Sequence, residues 1–176
     1  MNMHDFNVRP MAKQKAFTLI EILIVVSILG ILAAIVAPQF SQSSTKAKEA
    51  VAKELLQTLR TQLELFKIHH NGLKAGHTTL GTQFDGLVYL HLYYYSSATG
   101  ACSSVQDPVD VYKFGPYLKA RARNPFNKEF QLLTFYDAAD EALPTGSTGW
   151  IYNAVTGSIH IDWPGTDSKG VAYYDY

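Results

Sequence analysis

Residues Lys15 to Pro38 read KAFTLIEILIVVSILGILAAIVAP. From Phe17 to Ala37 this run holds 21 residues with a single charge, Glu21, close to its start. A helix of that length matches the roughly 30 Å hydrocarbon core of a bilayer. Three cations precede it, Arg9, Lys13 and Lys15, against one carboxylate, Asp5. That asymmetry keeps the N-terminus cytoplasmic and sends the remainder outward. A secretory signal peptide would place a small-residue cleavage site after its apolar run. Ala37-Pro38-Gln39-Phe40 is a poor site of that kind, and the chain continues instead into a second helical pattern.

From Ser41 to His70 the apolar residues Ala47, Val51, Leu55, Leu59, Leu63 and Phe66 recur every three or four positions, the stripe of an amphipathic helix. Lys46, Lys48, Glu49, Lys53, Glu54, Arg60, Glu64 and Lys67 lie mostly off that stripe, with Glu49 and Lys53 at helical spacing. Asn71-Gly72 ends it, because Gly takes the left-handed conformation that a helix C-terminus needs. Gly30 and Pro38 weaken the helix between its halves. Gly lowers propensity, and Pro38 lacks the amide that would bond to Ala34, which predicts a kink. The two halves make one helix of about fifty residues, long for a lone globular domain.

The remaining hundred or so residues form one compact head, 72–176. His77 to Gly86 reads as loop, and Leu87 to Tyr95 as a short helix or a buried strand. Thr99 to Asp110 is polar loop. Gly115-Pro116 and Asn124-Pro125 are turn punctuation that brings the chain into a sheet. Strands are expected at Phe130 to Tyr136, Gly149 to Tyr152 and Ser158 to Trp163, the last alternating Ile159, Ile161 and Trp163 with His160 and Asp162. Asn153 to Gly157 turns between the second and third, and Asp137 to Gly149 is an exposed insertion. The expected fold class is α+β: a long N-terminal helix packed on a small antiparallel sheet.

Charge and motifs narrow the function. Fifteen basic and 15 acidic residues balance overall, and beyond residue 16 there are 12 basic and 14 acidic. No basic excess argues for nucleic acid. Cys102 is the single cysteine, so no internal disulfide forms. No nucleophile elbow, Walker motif or dinucleotide fingerprint occurs, and no catalytic residue is assigned. His69, His70 and His77 would suggest a metal, but adjacent helical histidines point in different directions, so a solvated helix end is expected. Tyr93 to Tyr95, Tyr173, Tyr174 and Tyr176 read as ordinary core and surface residues, the alternative being packing between subunits.

Ala16-Phe17-Thr18-Leu19-Ile20-Glu21 resembles the prepilin cleavage and methylation motif of type IV pilins and type II secretion pseudopilins. Gly30 and Pro38 sit where many pilins carry the same residues. Phe114-Gly115-Pro116-Tyr117-Leu118 and Asn124-Pro125-Phe126-Asn127 are similar to a passage of the major pseudopilins, whose short second helix favours a helix at Leu87 to Tyr95. The resemblance implies a leader, 1–16, removed by a prepilin peptidase between Ala16 and Phe17, with N-methylation of Phe17. The family usually has Gly where Ala16 stands. It further implies a membrane and assembly half, 17–38, an amphipathic half, 39–71, and Glu21 paired with the Phe17 amine of a neighbouring subunit.

By that resemblance the chain is a structural subunit rather than an enzyme. It would wait in the bacterial inner membrane, head periplasmic, then self-assemble on an inner-membrane platform with its ATPase into a type II secretion pseudopilus. The alternatives are a type IV pilus pilin, and a membrane-anchored periplasmic enzyme or binding protein. Major pseudopilins bind calcium in a C-terminal loop, which makes Asp162, Asp167 and Asp175 calcium candidates, although Gly165 to Gly170 does not reproduce the ligand pattern. No other cofactor is expected.

Overall fold

The structure is a computed structural model describing residues 17–84, 86–106, 111–139 and 143–176, with backbone alone at 37, 38 and 40–42. Helix α1 runs Leu19–His69, and its helical backbone passes through Gly30 and Pro38. It contributes to two units that divide at Ser43 and Ser44. In the first, Thr18 starts the helix: its Oγ1 accepts from the Glu21 N–H at 3.2 Å, and its carbonyl accepts from Ile22 at 3.3 Å. This is the N-cap arrangement that satisfies otherwise orphan amides. The Ser27 hydroxyl donates to the Leu23 carbonyl at 2.7 Å, so it needs no partner outside its own helix.

The second unit holds the rest of α1 and the head. Helix α2 spans Leu87–Tyr93, so the ambiguous run is helical. A hairpin of two short strands follows, β1 (Tyr95–Ser96) at the end of that run and β2 (Cys102–Ser103) within the stretch read as polar loop. The main sheet contains β3 (Leu132–Phe135), β4 (Trp150–Asn153) and β5 (Ile159–Ile161), in the order β3-β4-β5. A 3₁₀ turn at Tyr173–Asp175 closes the chain against it. All three expected strands are present; β3 and β5 are shorter than read, and β4 has the expected four residues shifted by one.

One feature of the sheet differs from expectation. β4 and β5 are antiparallel, joined by the turn at Asn153, whose side-chain oxygen accepts from the Val155 and Thr156 amides. β3 and β4 are parallel, with Leu132 opposite Trp150 and Phe135 opposite Asn153. The sheet is therefore mixed, not wholly antiparallel. Residues 136–149 separate the two strands, enough chain for the return crossover that a parallel pair requires. β4 is buried along its whole length. Gly149 before it is obligatory by space, since a Cβ there would lie 2.5 Å from the Glu129 carbonyl oxygen.

The helical stripe also differs. The buried positions of α1 are Glu49, Ala52, Leu56, Leu59, Leu63 and Phe66, followed by His70. Their spacing alternates three and four. Ala47 and Val51 are exposed and Leu55 only half-buried. A step of four advances about 40° beyond a full turn, so a line drawn in fours winds off the face that a 3-4 alternation keeps. Leu59, Leu63 and Phe66 belong to both lines. They share one core with Val88, Leu92, Trp150, Tyr152, Ile159 and Ile161. Gly72, at φ 88°, ends α1 as expected, its amide bonding to the Lys67 carbonyl at 2.8 Å.

Two histidines stand at the centre of this core. His70 is buried, so the expected solvated helix end is incorrect there. Its ring stacks on Phe66 at 3.9 Å; Nδ1 donates to the Phe66 carbonyl at 2.7 Å, and Nε2 accepts from Ser96 Oγ at 3.0 Å. His69 instead bonds Tyr117 OH at 3.0 Å, and His77 is half-buried beside Tyr136. His91, on α2, is fully buried and stacks on the same Phe66 at 4.5 Å. Its Nδ1 accepts from the Gly76 amide at 3.0 Å and its Nε2 donates to the Gly100 carbonyl at 2.8 Å. Those two bonds require the neutral Nε2–H tautomer.

Desolvation holds His91 down at about 4, with His70 and His77 pushing the same way and the Gly100 bond opposing. His70 is lowered too, again chiefly by burial. In the unfolded chain a histidine titrates at about 6.5, so the unfolded state binds more protons between those values. Stability is full above about pH 6.5 and falls as pH drops toward 4. We expect His91 to contribute about 3 kcal/mol of that fall. Urea unfolding of the whole chain, followed by the fluorescence of Trp150 and Trp163 at pH 7.5 and 4.5, should show it, with a smaller difference in His91→Gln. The same assay separates the two stripes: Leu56→Ala should cost about 2–5 kcal/mol, and Val51→Ala under about 1.

Candidate functional site

Two regions carry the residues singled out by sequence. At the start of α1, Phe17 is 77% exposed and Glu21 lies in the first helical turn. Ala16, on the other side of the expected cleavage bond, lies outside the described residues. From Leu19 to Val36 every side chain is exposed, although 17 of those 18 residues are uncharged. A helix that is apolar all round and buried nowhere within its own chain is solvated by lipid or by other helices. Glu21 faces neither a cation nor a second carboxylate among the described residues, and it sits where the positive end of the helix dipole favours an anion. Adding a Cβ at Gly30 would touch nothing within 4 Å, so no packing inside the chain requires glycine there.

The second region is the C-terminal loops, where the three aspartates serve different ends. Asp162 is fully buried. One carboxylate oxygen accepts from the amides of Thr145 and Gly146 at 2.6 and 2.8 Å. The other accepts from the amide and hydroxyl of Thr148 at 2.7 and 2.8 Å. Burial raises its pKa, but these bonds to the charged form outweigh that and leave it below the usual carboxylate range. Two asparagines hold the same loop from the other side. Asn127 donates to the carbonyls of Gly146 and Thr148, and buried Asn124 donates to Gly149. The NPFN passage is thus a clamp on the residues leading into β4.

Asp167 accepts from the Lys169 and Val171 amides and, through its other oxygen, from Tyr176 OH at 2.8 Å. Lys53 of α1 approaches that oxygen at 3.9 Å and lies 3.8 Å over the Tyr176 ring. Buried Glu49 accepts from Tyr173 OH at 3.2 Å, and Arg60 donates to the main-chain oxygens of Ile159 and Tyr176. Glu49 and Lys53 therefore face the last residues of the chain, not each other. Asp175 is exposed on the 3₁₀ turn. The three aspartates do not converge, and among the described residues no three His, Cys, Asp or Glu side chains group as metal ligands. Sequence reasoning missed the buried roles of Glu49, Asn124 and His91. The signal for His91 was its place one helical turn after Leu87 on the apolar face of LVYLHLY.

Residues 11–37 match the family model of the prokaryotic N-terminal methylation motif. A type II secretion system core protein G of Pseudomonas aeruginosa is 46% identical over 56 residues, 32% of this chain and 39% of that protein. Its counterpart in Aeromonas hydrophila is 29% identical over 122 residues, 69% of this chain and 74% of that protein. A fimbrial protein of Pseudomonas aeruginosa is 37% identical over 75 residues, 43% of this chain and 49% of that protein. The chain thus spans well under half of the first relative and about three quarters of the second. No solved structure matches significantly. With the methylation motif at the start of an exposed apolar helix, and with matches that reach beyond that helix, the chain is similar to type II secretion core proteins G and to fimbrial proteins.

Proposed function

We propose that the chain is a structural subunit of a type II secretion pseudopilus. Prepilin peptidase cuts it between Ala16 and Phe17, and the new Phe17 amine is methylated. The subunit then waits in the inner membrane with its head in the periplasm, and an assembly platform with its ATPase draws it into a filament. The observation that carries this reading is the span from Leu19 to Val36, apolar and exposed on every side. Such a surface needs a lipid environment first and a bundle of like helices afterwards. The methylation motif at residues 11–37 supports the processing step.

A pilus pilin is the second reading, favoured by the fimbrial relatives at 37% identity. Their match ends within 75 residues, whereas that of the Aeromonas secretion protein extends over 122 and into the head. The secretion reading also accounts for the GPYL and NPF passages, so it is preferred. Calcium enters this proposal only through Asp167 and Asp175, since the Asp162 oxygens already accept from four amide and hydroxyl donors.

Three outcomes follow. Mass analysis of the mature protein should find N-methyl-Phe17 at its start, and an intact Met1 or a start near Gln39 would overturn the processing step. Deleting the gene should abolish export of a secreted protein while leaving surface pili intact; loss of pili with normal export would select the second reading. Glu21→Ala should be processed normally yet fail to enter filaments beside wild type. Glu21→Gln separates charge from capping, because it keeps a hydrogen-bonding group in the first turn. Normal incorporation of Glu21→Gln would eliminate charge pairing.

A further inference from the structure

We infer that the free edge of β3, with the groove between it and α2, is a docking site for an extended acidic segment of another polypeptide, which pairs with β3 as an added strand. This does not depend on the filament reading. β3 is an edge strand, with β4 on one side only. In a parallel pair, alternate residues direct both main-chain groups at the neighbour. The Gln131 carbonyl accepts from Gly149 and Trp150, and the Phe135 carbonyl accepts from Ala154. Gln131, Leu133 and Phe135 therefore face β4, and Leu132 and Thr134 present their N–H and C=O groups to the open side. Among the described residues, those four groups have no main-chain partner.

A groove of about 340 Å³ lies along that open side, bounded by Gly86, Tyr89, Arg121, Phe130, Leu132 and Thr134. Beside the groove, the Arg121 guanidinium lies 4.3 Å and that of Arg123 5.1 Å from the Phe130 ring centre. The ring orients both cations without neutralising them. No carboxylate lies within 4 Å of either among the described residues. An exposed strand edge is a ready template for pairing, and main-chain bonds supply affinity while flanking pockets choose side chains. Here the choice is a carboxylate for the guanidinium groups and an apolar side chain for the groove.

The probe is a capped Glu-Val-Glu-Val-Glu-Val peptide added to the full chain in detergent, with amide hydrogen exchange read at Leu132 and Thr134. Binding should protect both amides. A Lys-for-Glu peptide should bind about tenfold more weakly or less, as loss of one charge-assisted pair requires. The peptide N-methylated at alternate amides should not protect either amide. Arg121→Ser, at an exposed position, should weaken the Glu peptide about tenfold with unchanged unfolding. Absence of protection at saturating peptide, equal binding by the Lys or N-methylated peptide, or unaltered binding to Arg121→Ser would each overturn the proposal.

Discussion

Phe66 of α1 lies face to face with His70 on its own helix and with His91 on α2, and meets Tyr117 edge-on. Much of the head depends on that burial. The head has little regular structure to hold it, with main-sheet strands of four, four and three residues. Side chains that bond to main-chain groups supply what strands do not. His91 ties Gly76 to Gly100, Tyr152 OH reaches the Ala75 carbonyl, and Trp150 Nε1 reaches the Ala122 carbonyl. Each of these side chains is fixed by the same apolar cluster. Removing the cluster would therefore free several loops together, because a buried amide that loses its partner costs about 1–3 kcal/mol.

The neutrality of the two histidines belongs to the same constraint. A charged imidazole has no acceptor for a second N–H at His91, where Nδ1 already receives the Gly76 amide. Protonation would place two donors against each other inside the core. Asp162 shows the opposite solution, a buried charge kept because four donors converge on it. One site excludes charge and the other is built for it. The difference lies in the number and type of neighbouring hydrogen-bonding groups, not in burial, which is nearly complete at both.

Much of this was legible in the sequence because it rests on local chemistry. The apolar run, the Asn71-Gly72 stop and the turn at Asn153 to Gly157 are set by neighbouring residues and were read correctly. The stripe was half right. Leu59, Leu63 and Phe66 were found, but Ala47, Val51 and Leu55 were preferred over Ala52 and Leu56, since size favours Val over Ala while packing against the head favours the face. Glu49 was placed on the solvent side because its partner, Tyr173, lies 124 residues away. The parallel pairing of β3 was illegible for a like reason: strand direction is decided by the path of residues 136–149, not by the strands. The resemblance to pseudopilins makes the aspartates calcium candidates, and the amides that hold the Asp162 carboxylate come from residues 14–17 positions away, which sequence does not show.

The first turn of α1 poses the sharpest question of balance. Thr18 caps the helix through its own oxygen, so Glu21 is not needed for the start to form. Its interaction with the helix dipole is worth about 0.3–1 kcal/mol in water. Carrying a carboxylate into a lipid-facing span costs a few kcal/mol, even allowing for its position near one end. The cost exceeds the gain, so a chain selected only for insertion would place Leu or Ile there, as it does at Leu19, Ile20, Ile22 and Leu23. On the filament reading the difference is made up by a cation at the same depth. A neighbouring subunit can bring one only as its own N-terminal amine, because the chain has no Lys, Arg or His between Phe17 and Thr45. On that reading, the absence would make a single carboxylate a register mark. With only one cation at the right depth, neighbouring helices reach neutrality at one axial offset, and every other offset leaves a charge in the apolar layer.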